Sequence, residues 1–214
     1  MKALAIDSAA KTLTVAAKNE DLRASVSLEA GSRQSEKLPG AIIYVLEQAE
    51  LAPESLAYAA LHKGPGAFTA LRIAFAALKA VRLAHQCPLY AVPTLEAFAF
   101  PFAFWPGAVV PALDAKRLRF YAAVYRRGAE CSPAGDWPPE EIRVLLDPEE
   151  RVLTVGPDAA LLRDTLRGLQ PGMDVSAYTT LNAVEGLFAL AERKISAGEK
   201  PLGDWEGPEY IRLP

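Results

Sequence analysis

Lys2-Ala3-Leu4-Ala5-Ile6, then Asp7-Ser8-Ala9-Ala10, then Leu13-Thr14-Val15-Ala16-Ala17: the chain opens as a strand, a tight polar turn and a return strand. Apolar residues fill the first run until Asp7 stops it, and small polar residues let the backbone fold back on itself. The pattern recurs at residues 108–113, stopped by Asp114 and followed by a return strand at 119–125. Two such units in one chain predict a duplicated fold, with a mixed sheet flanked by helices in each half.

A third strand is expected at 22–28. Ser35 then caps a helix over 35–52, with Leu38, Ile42, Val45 or Leu46, and Ala49 at helical spacing and Pro53 beyond its end. A buried strand at 56–61 leads into His62-Lys63-Gly64-Pro65-Gly66, and a second helix over 67–85 is apolar nearly all round, seven of its residues being alanine. A strand at 89–92 follows, and Thr94 caps a helix from Leu95. Phe98, Phe100, Phe102, Phe104 and Trp105 crowd the next stretch before Pro106-Gly107. The boundary between lobes is placed there, as hinge packing, giving domains 1–105 and 106–214. The second lobe adds a strand at 151–155, a helix at 158–166 and a helix at 182–195 closed by Gly198.

Of the 214 residues 39 are alanine, 25 of them before residue 106, so much of the 51% apolar content is small and points to close helix packing in the first half. No apolar run approaches the roughly 18 residues of a spanning helix, and no signal peptide or anchor is read at the start. Two cysteines, Cys87 and Cys131, are too few for a disulfide framework or a thiolate cage. A reduced, cytoplasmic protein without membrane contact is expected. The net charge of -3 does not suit a stand-alone nucleic-acid binder.

Asp7 at a strand end, with Ser8 and the N-H groups of its turn, can hold a phosphate or a metal-bound water, or can simply close a hairpin. Gly64-Pro65-Gly66-Ala67-Phe68-Thr69-Ala70-Leu71-Arg72 offers a backbone open to close approach and a helix start for an anion. Equally, it can be a strand-to-helix turn in which Arg72 meets a carboxylate. It has neither P-loop nor dinucleotide spacing. With only His62 and His85, no metal centre and no nucleophile-base pair is expected. Lys116, Arg117, Arg119, Arg126 and Arg127 gather on one hairpin, which suits either a solvated face or a phosphate backbone.

Taken in order, these motifs resemble the TsaB (YeaZ) family, non-catalytic paralogues of the TsaD proteins in the actin-like ATPase (ASKHA) superfamily. Asp7-Ser8-Ala9-Ala10 resembles the family's Asp-Thr-Ser-Thr, and Gln34-Ser35-Glu36-Lys37-Leu38 its His-Ser-Glu-x-Leu. Gly64 to Ile73 is similar to Gly-Pro-Gly-Ser-Phe-Thr-Gly-Leu-Arg-Ile, and Pro93-Thr94-Leu95-Glu96-Ala97 to Ser-Ser-Leu-Glu-Ala. Asp114-Ala115-Lys116-Arg117 through Tyr121 and the closing Pro208-Glu209-Tyr210-Ile211-Arg212 complete the series. The resemblance implies a two-lobed, duplicated RNase H-like α/β fold. It also implies a non-catalytic scaffold in making threonylcarbamoyladenosine at position 37 of tRNAs reading codons that begin with A. Its partners would be a TsaD-like catalytic subunit and a TsaE-like ATPase, or a second copy of itself when TsaD is absent, with tRNA touched indirectly or weakly.

The implied contact uses the two helices of the first lobe, and Leu38, Ile42, Leu46, Ala70, Leu71, Ala74, Ala77, Leu78 and Val81 are its expected residues. Asp7, Ser8, Gly64, Pro65, Gly66, Thr69, Arg72 and Asp114 are expected to line a vestigial nucleotide cleft. Gln34, Ala67 and Ala70 depart from the family's His, Ser and Gly, which removes polar or flexible groups there. No cofactor of its own is expected, ATP or ADP belonging to an interface of the assembled complex. The rival reading is a small phosphotransferase or ATPase using Asp7 and the Gly64 to Gly66 turn.

Overall fold

A computed structural model describes residues 1–211; Arg212, the last residue of the closing motif, lies outside them. The chain forms two compact units, one of Met1–Thr94 with Leu187–Tyr210 and one built from Leu95–Gly186. The expected cut after residue 105 is therefore displaced: the aromatic stretch belongs to the second unit, and residues 187–210 return to the first.

In the first unit β1 (Ala3–Asp7), β2 (Leu13–Asn19), β3 (Leu22–Leu28), α1 (Gln34–Gln48), β4 (Tyr58–Gly64), α2 (Phe68–His85) and β5 (Leu89–Pro93) follow in order, and α3 (Thr94–Ala99) belongs to the second unit from Leu95 on. The sheet order is β3-β2-β1-β4-β5. β1 pairs antiparallel with β2 and parallel with β4. Every residue of β1 is buried, as expected of a strand paired on both edges and covered on both faces. Leu4, Ile6, Leu13 and Val15 pack with Leu38, Val45 and Leu46 of α1 and with Ala74, Phe75 and Leu78 of α2 in one core.

The second unit repeats this plan. β6 (Ala108–Lys116), β7 (Arg119–Arg126), β8 (Ala129–Trp137), α4 (Pro139–Val144), β9 (Val152–Gly156), α5 (Ala159–Leu169) and β10 (Val175–Thr179) follow, and α6 (Val184–Ser196) belongs to the first unit from Leu187 on. The sheet order β10-β9-β6-β7-β8 is the first sheet's order with each strand replaced by its counterpart, and the parallel and antiparallel pairings match. This is a duplicated α/β fold. Its core gathers Val110, Phe120, Val124 and Ile142 with Leu162 and Leu166 of α5.

Local details depart from expectation. α1 begins at Gln34 after a 3-10 turn, so Ser35 lies inside the helix and caps nothing, and Arg33 and Glu36 pair across the first turn at 2.9 Å. α1 ends at Gln48, where the Asn19 amide donates to the carbonyls of Ala49 (3.0 Å) and Glu50 (3.1 Å) and satisfies the helix end. β8, α4 and β10 were not anticipated. β8 carries Pro133 and Gly135, which read as loop but are tolerated on an edge strand.

Candidate functional site

β1 and β4 run in parallel with Ile6 opposite Leu61, which brings the next residues, Asp7 and His62, together. Asp7 Oδ1 lies 3.0 Å from His62 Nε2, and both side chains are only 1% exposed. The same carboxylate oxygen accepts the Ala9 N-H at 3.1 Å. Ser8 is also buried, and its hydroxyl donates to the Ala70 carbonyl of α2 at 3.0 Å. The polar groups of this turn are thus spent on the chain's own interior. Nothing in the local sequence signals the Asp7–His62 pair, because only the parallel register joins them.

The glycine turn is filled in the same way. A Cβ on Gly64, whose φ is +127°, would lie 2.1 Å from the Glu209 carbonyl oxygen, so residue 64 must be glycine for the closing segment to pack there. The Glu209 N-H donates to the Lys63 carbonyl at 2.7 Å, and the Lys63 ammonium meets the Glu209 carboxylate at 2.6 Å. On the other side, a Cβ on Gly66 would come within 3.0 Å of the Ala9 carbonyl, while the Ala67 N-H donates to that oxygen at 2.9 Å. Arg72 does not meet the expected carboxylate. Its Nε donates to the Tyr210 hydroxyl at 3.0 Å, and its guanidinium stacks 3.8 Å from the Phe68 ring centre. Phe68 and Tyr210 are themselves in ring contact at 4.7 Å. The Gly-Pro-Gly motif and the closing motif are therefore one packed structure, Pro65 buried and Thr69 exposed within it.

Residues 202–210 continue as a strap along α2. Lys79 donates to the carbonyls of Asp204 (2.8 Å) and Glu206 (2.7 Å), and Arg82 to the Leu202 carbonyl (2.7 Å) and the Asp204 carboxylate. With Arg72 on Tyr210, every basic side chain before His85 on this helix is engaged by the strap.

The expected contact residues divide once their burial is known. Leu38, Leu46, Ala70, Leu71, Ala74 and Leu78 are core, which corrects their expected place in the partner contact. Ile42, Ala77 and Val81 lie at the core's margin. Apolar periodicity finds the inward side of a helix first, since that side is the larger apolar stripe. At 3.6 residues per turn, the opposite side of α2 presents Thr69, Ala76, Ala80, Leu83 and Ala84, and Leu83 is 88% exposed, while Ile73 leans back on the core. No charge lies within that stripe, and the exposed Arg72 borders it one turn before Ala76. α2 is thus buried on one side, not on several.

In the second unit Asp114 is half-buried and faces solvent groups. It accepts the Lys116 N-H at 2.7 Å and its ammonium at 2.6 Å, which holds Lys116 above its ordinary range. Its own N-H donates to Asp158 at 2.7 Å. On the basic hairpin Arg119 pairs with Asp136 and Arg126 with Glu150, each at 2.9 Å, while Arg117 and Arg127 stay exposed. Lys116, Arg117 and Leu118 all have positive φ, an unusual run for non-glycine residues. Among the described residues no group of three or more His, Cys, Asp or Glu is arranged to hold a metal ion. No helix among them is long and apolar enough to cross a membrane.

A further polar cluster lies in the first unit. The Lys18 ammonium pairs with Glu192 and stands 4.9 Å from the Phe188 ring centre, and the Tyr58 hydroxyl donates to Glu192 at 3.1 Å. Burial raises the Glu192 carboxyl, but the hydrogen bond and charge of Lys18 outweigh it and hold the group below its usual value. Burial also pushes the Cys87 thiol up to about 11, consistent with an inert core cysteine.

Residues 8–137 match the family model of the TsaD tRNA N6-adenosine threonylcarbamoyltransferases. The chain is 30% identical over 228 residues to the tRNA threonylcarbamoyladenosine biosynthesis protein TsaB of Bacillus subtilis (strain 168), covering 100% of this chain and 95% of that protein. It is 26% identical to TsaB of Escherichia coli (strain K12), covering 99% and 95%. A crystal structure described as an uncharacterized protein with similarity to peptidase YEAZ, from Pseudomonas aeruginosa, superposes with a TM-score of 0.80 at 25% identity over 99% of both chains.

Proposed function

The chain belongs to the TsaB (YeaZ) family, within the wider TsaD family, and from that membership we propose that it serves the formation of threonylcarbamoyladenosine in tRNA as a subunit without chemistry of its own, docking a TsaD-like catalytic subunit on the outward stripe of α2. A role in threonylcarbamoyladenosine formation is the function carried by its named relatives. The observation that supports a docking role is the stripe itself. A helix that fully served its own core would show charge to solvent, whereas α2 shows Thr69, Ala76, Ala80, Leu83 and Ala84 there while its cations are held along the strap. Small residues let a second helix approach closely and bury backbone as well as side chains.

The same reading gives the buried Asp7–His62 pair and the filled glycine turn a structural role, supported by the engagement of Ser8 with Ala70 and of Gly64 with Glu209. ATP or ADP then belongs to the assembled complex, a TsaE-like ATPase is its further partner, and a second copy of the chain occupies the stripe when the catalytic subunit is absent. Mixing the purified chain with its cognate TsaD-like protein and separating the mixture by size-exclusion chromatography tests this. Co-elution is expected; separate elution under every nucleotide condition contradicts it. In a strain lacking the gene, mass analysis of tRNA nucleosides is expected to show loss of threonylcarbamoyladenosine.

A further inference from the structure

The aromatic stretch after α3 is not hinge packing. Phe98 is core, but Phe104 is 79% exposed and Phe100 is also exposed. Phe102 meets Tyr178 of the edge strand β10, ring centres 5.1 Å apart and planes tilted by 56°. Trp105 lies under the Arg151 guanidinium at 5.0 Å, and its indole N-H donates to the Arg151 carbonyl at 3.3 Å. The arrangement is built, because a Cβ on Gly107 would sit 1.9 Å from that same carbonyl oxygen. The turn holding Arg127 and Gly128 packs here as well, with the Gly128 Cβ position 3.1 Å from the Ala103 side chain. Arg127 is exposed, and neighbouring Arg126 takes Glu150. Arg151 has a carboxylate at 3.4 Å, that of Asp174, in a pair with both side chains more than half exposed. Such a pair contributes little, and a phosphate can take the carboxylate's place.

We propose that Phe104 and Trp105, with Arg127 and Arg151, form a docking surface for an unpaired stretch of RNA. The inference rests on the role in tRNA modification, which brings RNA to this protein. The exposed Phe104 ring provides a face for an unstacked base next to Trp105, which carries Arg151 on its own face, and the two guanidinium groups provide cations for the phosphates. The core of a protein-docking patch is depleted of charge, whereas here a guanidinium lies on the Trp105 ring. The acidic net charge limits this surface to local attraction and makes it a secondary contact.

The test uses the full chain and a fluorescein-labelled single-stranded RNA of about ten nucleotides, with the matching duplex as control, by fluorescence anisotropy over a salt series. The chain is expected to prefer the single strand, with log affinity falling against log salt at a slope of about -1.4, two cations at about 0.7 each. Phe104→Ala is expected to weaken binding about tenfold or more, and Phe104→Tyr to restore it. Arg127→Asn, which tolerates the positive φ there, is expected to flatten the slope by about 0.7. Absence of binding, equal binding of the duplex, or wild-type affinity in both Phe104→Ala and Arg127→Asn overturns the proposal. So does a Phe104→Ala chain that binds RNA normally but loses its TsaD-like partner, since the surface is then a protein contact. Co-elution with that partner is scored separately, so failure of either reading leaves the other measurable.

Discussion

α2 and α5 occupy the same place in the two units, each joining the second parallel pair of strands, yet they meet solvent differently. α5 packs Ala159, Leu162 and Leu166 inward and turns Arg163, Asp164 and Arg167 outward, with Arg163 and Asp164 paired at 2.8 Å. α2 packs Ala70, Leu71, Ala74, Phe75 and Leu78 inward and turns Thr69, Ala76, Ala80, Leu83 and Ala84 outward, with Arg72 at their border. Duplication supplies the same scaffold twice: α5 sets charges beside its exposed Leu161 and Leu169, whereas the outward stripe of α2 carries none within it. The strand-end aspartates diverge in parallel: Asp7 is sealed against His62, while Asp114 reaches Lys116 at the surface. Both halves thus keep an acidic strand end, and each carboxylate is engaged by a different partner of its own unit.

The comparison breaks most severely at the inward side of α2. Ala74→Glu places an unpaired charge among Leu78, Phe75 and Leu4 and is expected to cost about 3–5 kcal/mol of stability, seen as loss of the cooperative thermal transition. A folded Ala74→Glu chain would mean that α2 is rotated from the orientation described. Next in size is Gly64→Ala, which meets both the positive φ and the Glu209 carbonyl and is expected to cost about 2–3 kcal/mol. Freed from Glu209, the strap is expected to become the first segment cut in limited proteolysis, and unchanged protection would deny that Gly64 anchors it.

A smaller effect sharpens how α6 is held to the first sheet. Because the folded-state Glu192 carboxyl lies below its usual value near 4.5, its contribution is fully present above that pH. It is lost as pH falls through the lower, folded-state value. Glu192→Gln is expected to lower the neutral plateau while leaving the acid end close to that of the natural chain, which flattens the acid limb of a stability-against-pH curve. An unchanged acid limb would remove the Lys18–Glu192 pair from the account.

The strands that begin each unit were legible because the apolar runs ended by Asp7 and Asp114, each with a return strand, are local patterns. The helix over 68–85 was legible for the same reason. What escaped reading depended on distant partners. Arg72 and Tyr210 meet across 138 positions, and Asp7 finds His62 only through parallel pairing. Burial also had to be known before the two sides of α2 could be told apart: Ala74 and Ala80 look alike in sequence, but one is core and the other faces outward. β8 was hidden by Pro133 and Gly135, residues that an edge position excuses.

The central claim concerns the outward stripe, and Ala80→Glu tests it most directly when compared with Leu161→Glu on exposed α5. Both variants are expected to fold, with melting temperatures close to that of the natural chain. In titration calorimetry with the TsaD-like partner, Ala80→Glu is expected to lose affinity about a hundredfold or more, the cost of an uncompensated charge in a closed helix contact, while Leu161→Glu binds normally. Normal binding by Ala80→Glu, or loss of binding by Leu161→Glu alone, would contradict the account.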